Sequence, residues 1–398
     1  MQTQLIVEPK GFSTLCGKIR DVGIVAFDTE FVSEYTYRPE LCLLQFAFGD
    51  EVAAVDPREV NDLTEWWDIM ADPEVTVVVH GGQAEVRFCL EEGQKTPVNL
   101  VDIQLAEGLQ SRSFPLGYEA IVNRRLNVRL SGKETRTDWR QRPLSERQIH
   151  YALEDVRHIV PIWLKQRKNL EHLKRMDWAD SEFTRLIQDQ MADRRRPSWS
   201  RLTGIFRLNK REFKIASLIC DWRQAEAEKS NRPLKRILRD DLIIELARRH
   251  PQTQKELLDT RDMNRDGYKR HHDDLLAVIA DGMKIPTNKL DPTPEPPLGD
   301  PAIDSQVLGQ LLSLALSNRC AEMNVARQIV GTAADLKHFI RWHLYGRDPE
   351  GMPRLAEGWR SEVCGDLLAN LIDGKLSLRV VDPRAENPLH FEHWEREN

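Results

Sequence analysis

An α/β domain followed by all-α modules is the fold class predicted for this chain of 398 residues, and three observations predict it. Residues 23–31 and 75–79 are apolar runs that read as buried strands, and the second leads through a polar turn into helical sequence. Beyond residue 207 apolar side chains recur at helical spacing. A proline-rich stretch over 286–301 then divides that helical part in two, and the length exceeds what a single core supports.

The first strand carries Asp28 and Glu30, two apart and therefore on one face. Two like charges at the edge of an apolar sheet are unfavourable unless cations neutralise them, which is how oxygen ligands hold Mg²⁺ or Mn²⁺; the alternative is a solvated strand end. The second strand ends in His80-Gly81-Gly82-Gln83-Ala84-Glu85. A helix is predicted over 145–164, opened by Ser145 and Gln148 in capping-box spacing, with Tyr151 and Asp155 four apart on one face. Three separate segments thus each bring acidic residues to the end of an element, the way a two-metal site for phosphodiesters is assembled.

These blocks resemble the Exo I, Exo II and Exo III motifs of the DEDD exonuclease superfamily, with Tyr151-Ala152-Leu153-Glu154-Asp155 matching the tyrosine-bearing third motif. Thr135-Arg136-Thr137-Asp138-Trp139 and Arg142-Pro143-Leu144-Ser145-Glu146-Arg147-Gln148 resemble the bacterial ribonuclease D family. The resemblance implies a ribonuclease H-like exonuclease domain with a mixed sheet. It implies that Asp28, Glu30 and Asp155 hold one divalent ion, that Asp28 with Glu85 serves a second, and that Tyr151 orients the attacking water. In that family the second motif usually supplies aspartate. Here it is Glu85, one methylene longer, which either faces a metal less rigidly or is merely an acidic residue at a helix start.

Composition fits an intracellular enzyme. The six cysteines are scattered without a Cys-x-x-Cys pair, which argues against zinc and disulfides. No apolar run approaches the roughly 20 residues of a membrane span, and no secretory h-region is seen, so a cytoplasmic location is expected. The net charge is −6, yet residues 194–214 hold eight basic residues against Glu212. Arg194, Arg195, Arg196, Arg201, Lys210 and Arg211 are candidate phosphate contacts, with Trp199 and Phe206 as stacking surfaces; a solvated connector reads equally well.

Residues 207–285 resemble an HRDC domain through Asn231-Arg232-Pro233, Asp241-Leu242 and Gly267-Tyr268, with helices expected over 208–222, 241–249 and 268–283. His271-His272 reads as polar helix surface. After the linker, helices over 307–316, 334–344 and 359–372 resemble a second HRDC-like module, and the tail from 379 is expected to be an irregular strand or mobile. The expected organisation is an exonuclease domain over 1–200, HRDC-type domains over 207–285 and 302–398, and a linker at 286–301.

The expected function is a 3′-5′ exoribonuclease with two divalent ions, Mg or Mn, releasing 5′-mononucleotides from RNA with a free 3′ end, precursor tRNA by the family resemblance. No membrane and no organic cofactor are expected. A DNA-directed exonuclease, or an RNA-binding protein weakened in catalysis by Glu85, are the alternatives.

Overall fold

The computed structural model describes residues 4–130, 137–294, 306–348 and 351–394. Thr135 and Arg136 of the motif quoted above, and Pro296, Pro297 and Pro301 of the linker, lie outside them. A six-stranded mixed sheet has the order β1-β4-β3-β2-β5-β6, with β1 Gln4–Ile6, β2 Ile24–Val32, β3 Glu40–Phe48, β4 Glu51–Val55, β5 Thr76–Val79 and β6 Leu100–Asp102. β3 runs antiparallel to β2 and β4, and the remaining pairs are parallel. β3 is buried at all but its first residue because helices cover both faces of the sheet, so its sequence reads as a continuous apolar run.

On one face α1 (Pro9–Val22), α2 (Pro57–Val60), α3 (Thr64–Met70) and α4 (Gln83–Glu91) enclose a core around Phe27, Phe46 and Trp66. Gly23 ends α1 in the left-handed region, φ 72°, and returns the chain directly into β2. The other face is covered by α5 (Ile103–Gln110), α6 (Tyr118–Leu126), α7 (Glu146–Arg157) and α8 (Ile159–His172), followed by α9 (Met176–Arg195). The helix expected over 145–164 is therefore two. Pro161 has no N–H for the Arg157 carbonyl, and the chain breaks at His158.

Residues 202–279 form a helical unit with its own core, built on the long helix α10, Lys210–Ser230, whose Asn209–Glu212 capping box is complete. Helices Asp240–Arg249 and His272–Lys284 pack beside it. The expected surface role of the paired histidines is corrected. The last helix begins at His272, so both rings turn inward and are only 3% exposed. His271 meets the Trp222 ring edge-on at 5.3 Å, and His272 Nε2 lies 2.9 Å from the Met263 carbonyl.

Two features of the C-terminal segment differ from an independent all-α module. Helices Gln306–Glu322 and Ala333–Leu344 share one apolar core with the exonuclease helices. The segment also ends in an antiparallel hairpin, Leu376–Val380 with Leu389–His393, in place of an irregular tail. Buried Asn318 fixes that hairpin by exchanging hydrogen bonds with the Leu389 backbone at 2.9 and 3.0 Å. The joint to α9 is polar at its centre. Glu182, 4% exposed, accepts from Trp359 Nε1 at 3.1 Å and pairs with Arg360 at 2.6 Å and Arg354 at 3.2 Å. Trp178 stacks on Trp359 at 4.8 Å.

Glu182→Ala leaves the buried Arg360 guanidinium without its counter-charge, and is expected to lower stability by about 3–5 kcal/mol in denaturant unfolding. A loss under about 1 kcal/mol, the size of an exposed ion pair, would show that this joint is solvated.

Candidate active site

β2 sits in the interior of the sheet, and its C-terminal end presents Asp28 and Glu30 to the face covered by α7. Register places Asp28 opposite Gln45 and Glu30 opposite Leu43, with an irregularity after Glu30 that turns the chain out of the sheet. α7 starts where the sequence predicts, with Ser145 and Gln148 completing the capping box. Tyr151 and Asp155 then face the strand end together, and the Tyr151 hydroxyl serves as a hydrogen-bonding partner of the Asp155 carboxylate. Arg142, of the quoted lead-in motif, ties the preceding loop to the sheet by donating to the Cys42 and Trp139 carbonyls at 2.8 and 2.7 Å and by pairing with buried Asp56.

The fourth acidic residue arrives on α4 from the neighbouring strand β5. Gly81 adopts φ +68°, and a Cβ at Gly82 would lie 2.3 Å from Val79 Cγ2, so the turn requires both glycines. Buried Asp102 accepts from the Gly81 and Gly82 amides, each at 3.0 Å, and caps α5 through Gln104 N at 2.8 Å. This sets the angle at which α4 leaves the sheet. Glu85, 4% exposed in its first turn, accepts from the Thr29 hydroxyl at 2.6 Å.

Electrostatics binds the four carboxyls into one site. Burial, then the charges of Glu85, Glu30 and Asp155, holds Asp28 well above the ordinary carboxylate range. Burial likewise pushes Glu30 up to about 8, Glu85 to about 7 and Asp155 to about 6. Among the described residues no Lys or Arg forms an ion pair with any of the four. Nor do three or more His, Cys, Asp or Glu side chains there already surround one ion-sized point. The donor set is nevertheless all oxygen, acidic and sheltered, which suits hard divalent cations and not zinc. Cations that drew these groups together would relieve the repulsion that raises them.

The site divides into two hollows. One, of about 630 Å³, adjoins Glu30 and is bounded by Tyr35, Trp139 and Tyr151. The other, of about 420 Å³, adjoins Asp28 and Glu85 and is bounded by His80, Gln83 and Arg87. Sequence reasoning missed Thr29, Gln45 and Asp102, whose partners lie far along the chain. Gln45 is fully buried opposite Asp28, with neither amide atom hydrogen bonded among the described residues.

The basic connector is less free than its composition suggests. Arg194, in the last turn of α9, donates to the Leu90 carbonyl at 2.6 Å, while Arg211 donates to Gly282 O at 2.7 Å. Arg196 and Arg201 both pair with Asp193, one residue before the counted stretch. Arg195 and Lys210 are exposed. Trp199 packs edge-on against Phe213 at 5.0 Å, and Phe206 is half-buried on the same core, so neither is a free stacking platform.

Comparison with known proteins bears on the family and the fold. Residues 4–171 match a 3′-5′ exonuclease family and residues 212–279 match the HRDC domain. The chain is 31% identical to the ribonuclease D of Acidiphilium cryptum over 96% of both proteins. It is 30% identical to that of Sphingobium indicum, over 96% of this chain and 97% of the relative. The crystal structure of Escherichia coli RNase D, described as an exoribonuclease involved in structured RNA processing, superposes with a TM-score of 0.83 at 25% identity, covering 94% of this chain and 99% of that one.

Raised carboxyl groups stabilise the fold only while protonated. The metal-free protein is therefore expected to lose stability as pH rises from about 5 to about 8, through the values at which Asp155, Glu85 and Glu30 ionise. Asp28→Asn removes one of the repelling charges, so its melting temperature in EDTA should fall less over that range. Parallel profiles for the two proteins would show that the four groups do not form one electrostatic unit.

Proposed function

The chain belongs to the ribonuclease D family and is a 3′-5′ exoribonuclease, and from that premise we propose that it works with two divalent ions, Mg or Mn, held by Asp28, Glu30, Glu85 and Asp155. The observation that carries this reading is the convergence of four buried carboxyls from β2, α4 and α7 without a basic partner among the described residues. Asp28, Glu30 and Asp155 would hold one ion, and Asp28 with Glu85 the other. Bound there, the ions would supply the charge that makes a water nucleophilic and offsets the developing negative charge on the departing 3′ oxygen.

The protein's own groups do the positioning. Burial and the neighbouring carboxylates push the Tyr151 phenol above its ordinary range, so it stays protonated at neutral pH and orients a water by hydrogen bonding; it is not a proton acceptor. The hollow at Glu30 would take the terminal nucleoside, where exposed Tyr35 offers a ring, with Arg140 4.8 Å from its centroid, and buried Trp139 forms part of the wall. The hollow at Glu85 would then face the strand that remains. Precursor tRNA, whose 3′ extension is single-stranded, is the substrate we favour, with 5′-mononucleotides as products. The exposed Arg195 and Lys210 are the connector cations we retain as phosphate contacts. We keep the domain organisation 1–200, 207–285 and 302–398, reading the last as a second HRDC-like unit from the order of its helices. No helix among the described residues is long and apolar enough to cross a membrane.

The test is to offer 5′-labelled RNA with a free 3′ hydroxyl, the same RNA blocked by a 3′ phosphate, and DNA of matching sequence, each with Mg²⁺, Mn²⁺ or EDTA. Stepwise shortening of the unblocked RNA with metal alone is expected, and Asp28→Asn should abolish it while leaving the fold intact. Full-rate cleavage in EDTA would eliminate the metal mechanism, and preferred cleavage of DNA would shift the substrate.

The Thr29 bond to Glu85 favours a second reading, in which one oxygen of the fourth ligand is engaged by the protein and catalysis is weak. Glu85→Asp, which restores the residue usual in the family, is expected to match or exceed wild-type turnover, while Glu85→Gln should lose most of it. Equal single-turnover rates for all three proteins across a metal titration would remove Glu85 from the site.

A further inference from the structure

Two residues beyond Glu85, α4 carries an arginine that nothing above uses. Arg87 borders the hollow of about 420 Å³ that Asp28, His80, Gln83 and Glu85 also line, and no other Lys or Arg lines it among the described residues. The side chain is half-buried, and its Nε is sealed from solvent without a hydrogen-bond partner among the described residues. It forms no ion pair among the described residues. What holds the guanidinium in place is aromatic: it lies 5.9 Å from the ring centroids of both Phe31 and Phe88. Arg87 and Glu85 feel each other's charge, which favours the ionised carboxylate, but the two form no ion pair among the described residues. A partly desolvated guanidinium with no ion pair has something to gain from an anion, and its planar fork suits the oxygens of a phosphate.

Resting on the exonuclease reading above, we propose that Arg87 binds the phosphate immediately upstream of the bond being cut, and so sets the shortest RNA that is degraded efficiently. In that reading Glu85 stands on the side of the departing 3′ oxygen, which belongs to the penultimate nucleotide. The next group along the strand is that nucleotide's own 5′ phosphate. It enters the hollow on the Glu85 side, where Arg87 is the available cation and His80 and Gln83 supply polar edges. The hollow at Glu30, on the other side, receives the nucleoside that is released. Arg87 is thus a specificity-determining residue for strand length; it does not touch the reacting atoms.

The experiment compares two substrates that differ only in that group: a dinucleoside monophosphate, whose single phosphate is the one cleaved, and the same dinucleotide bearing a 5′ phosphate. Wild type with Mg²⁺ is expected to cleave the phosphorylated form with the higher kcat/KM. Arg87→Ala should shrink that advantage by about tenfold or more, the worth of a hydrogen bond between charged groups. Arg87→Lys, which keeps the charge but not the fork, should recover part of it. An advantage of equal size in all three proteins overturns the assignment, and identifies Arg87 as a solvated side chain. If wild type cleaves neither these nor longer RNA, the exonuclease reading itself has failed, and the assignment falls with it.

Discussion

Everything in the exonuclease domain is arranged around one unfavourable arrangement: acidic side chains concentrated at the buried end of an interior strand. β2 lies between an antiparallel neighbour and a parallel one, and helices cover both faces, so Asp28 cannot escape to water by local fraying. The charges are tolerated as a set only because the surrounding elements are fixed independently. Gly23 aims β2, the Ser145–Gln148 box fixes the start of α7, and Asp102 locks the turn that delivers α4. Each of these fixes the element from which a carboxyl projects, and metal coordination is sensitive to such positioning. A site built on three rigid elements keeps its repulsion in the metal-free state, ready to be relieved by cations.

Much of this was legible in the sequence because it is written in local periodicity. Asp28 and Glu30 share a face by the two-residue repeat of a strand, and Tyr151 and Asp155 by the four-residue step of a helix. Both survive whatever packs around them. What was not legible depends on partners distant in sequence. Thr29 reaches Glu85 across 56 positions, and Asn318 anchors the terminal hairpin across 71. The histidine pair failed for a related reason. Helical geometry predicts different directions for adjacent residues, but the helix starts at His272, so one ring belongs to the preceding turn and both fit inside.

Domain organisation shows the same division. The proline-rich stretch announces a boundary, and the central module does have a core of its own. It leans on the exonuclease domain through a short polar contact, where the Tyr37 amide donates to Asn231 Oδ1 at 3.2 Å and Arg38 pairs with Glu228 at 3.1 Å. That loop follows β2 and borders the hollow at Glu30. The C-terminal helices, by contrast, are fused to the catalytic domain. Their apolar residues continue its core, and Arg175 stacks on Trp178 at 4.9 Å while donating to the Leu109 and Met323 carbonyls at 2.7 and 2.6 Å. A boundary in composition is therefore no measure of independence in packing.

Charge gives the last step. A chain of net charge −6 that handles RNA must place its cations selectively, and counting basic residues along the sequence does not find them. In the connector, Asp193 claims two arginines and backbone carbonyls claim two more, so most of its apparent positive charge is spent on holding α9 and α10 in place. Arg87 belongs to no basic run and stands amid apolar and acidic neighbours, yet it faces an open hollow beside the carboxylates and forms no ion pair among the described residues. An isolated cation next to an acidic site has more to gain from a phosphate than several cations whose charge is already satisfied, because part of its desolvation precedes the ligand. The path of a polyanion over an acidic protein is thus set by which cations lack partners, and only the folded structure shows that.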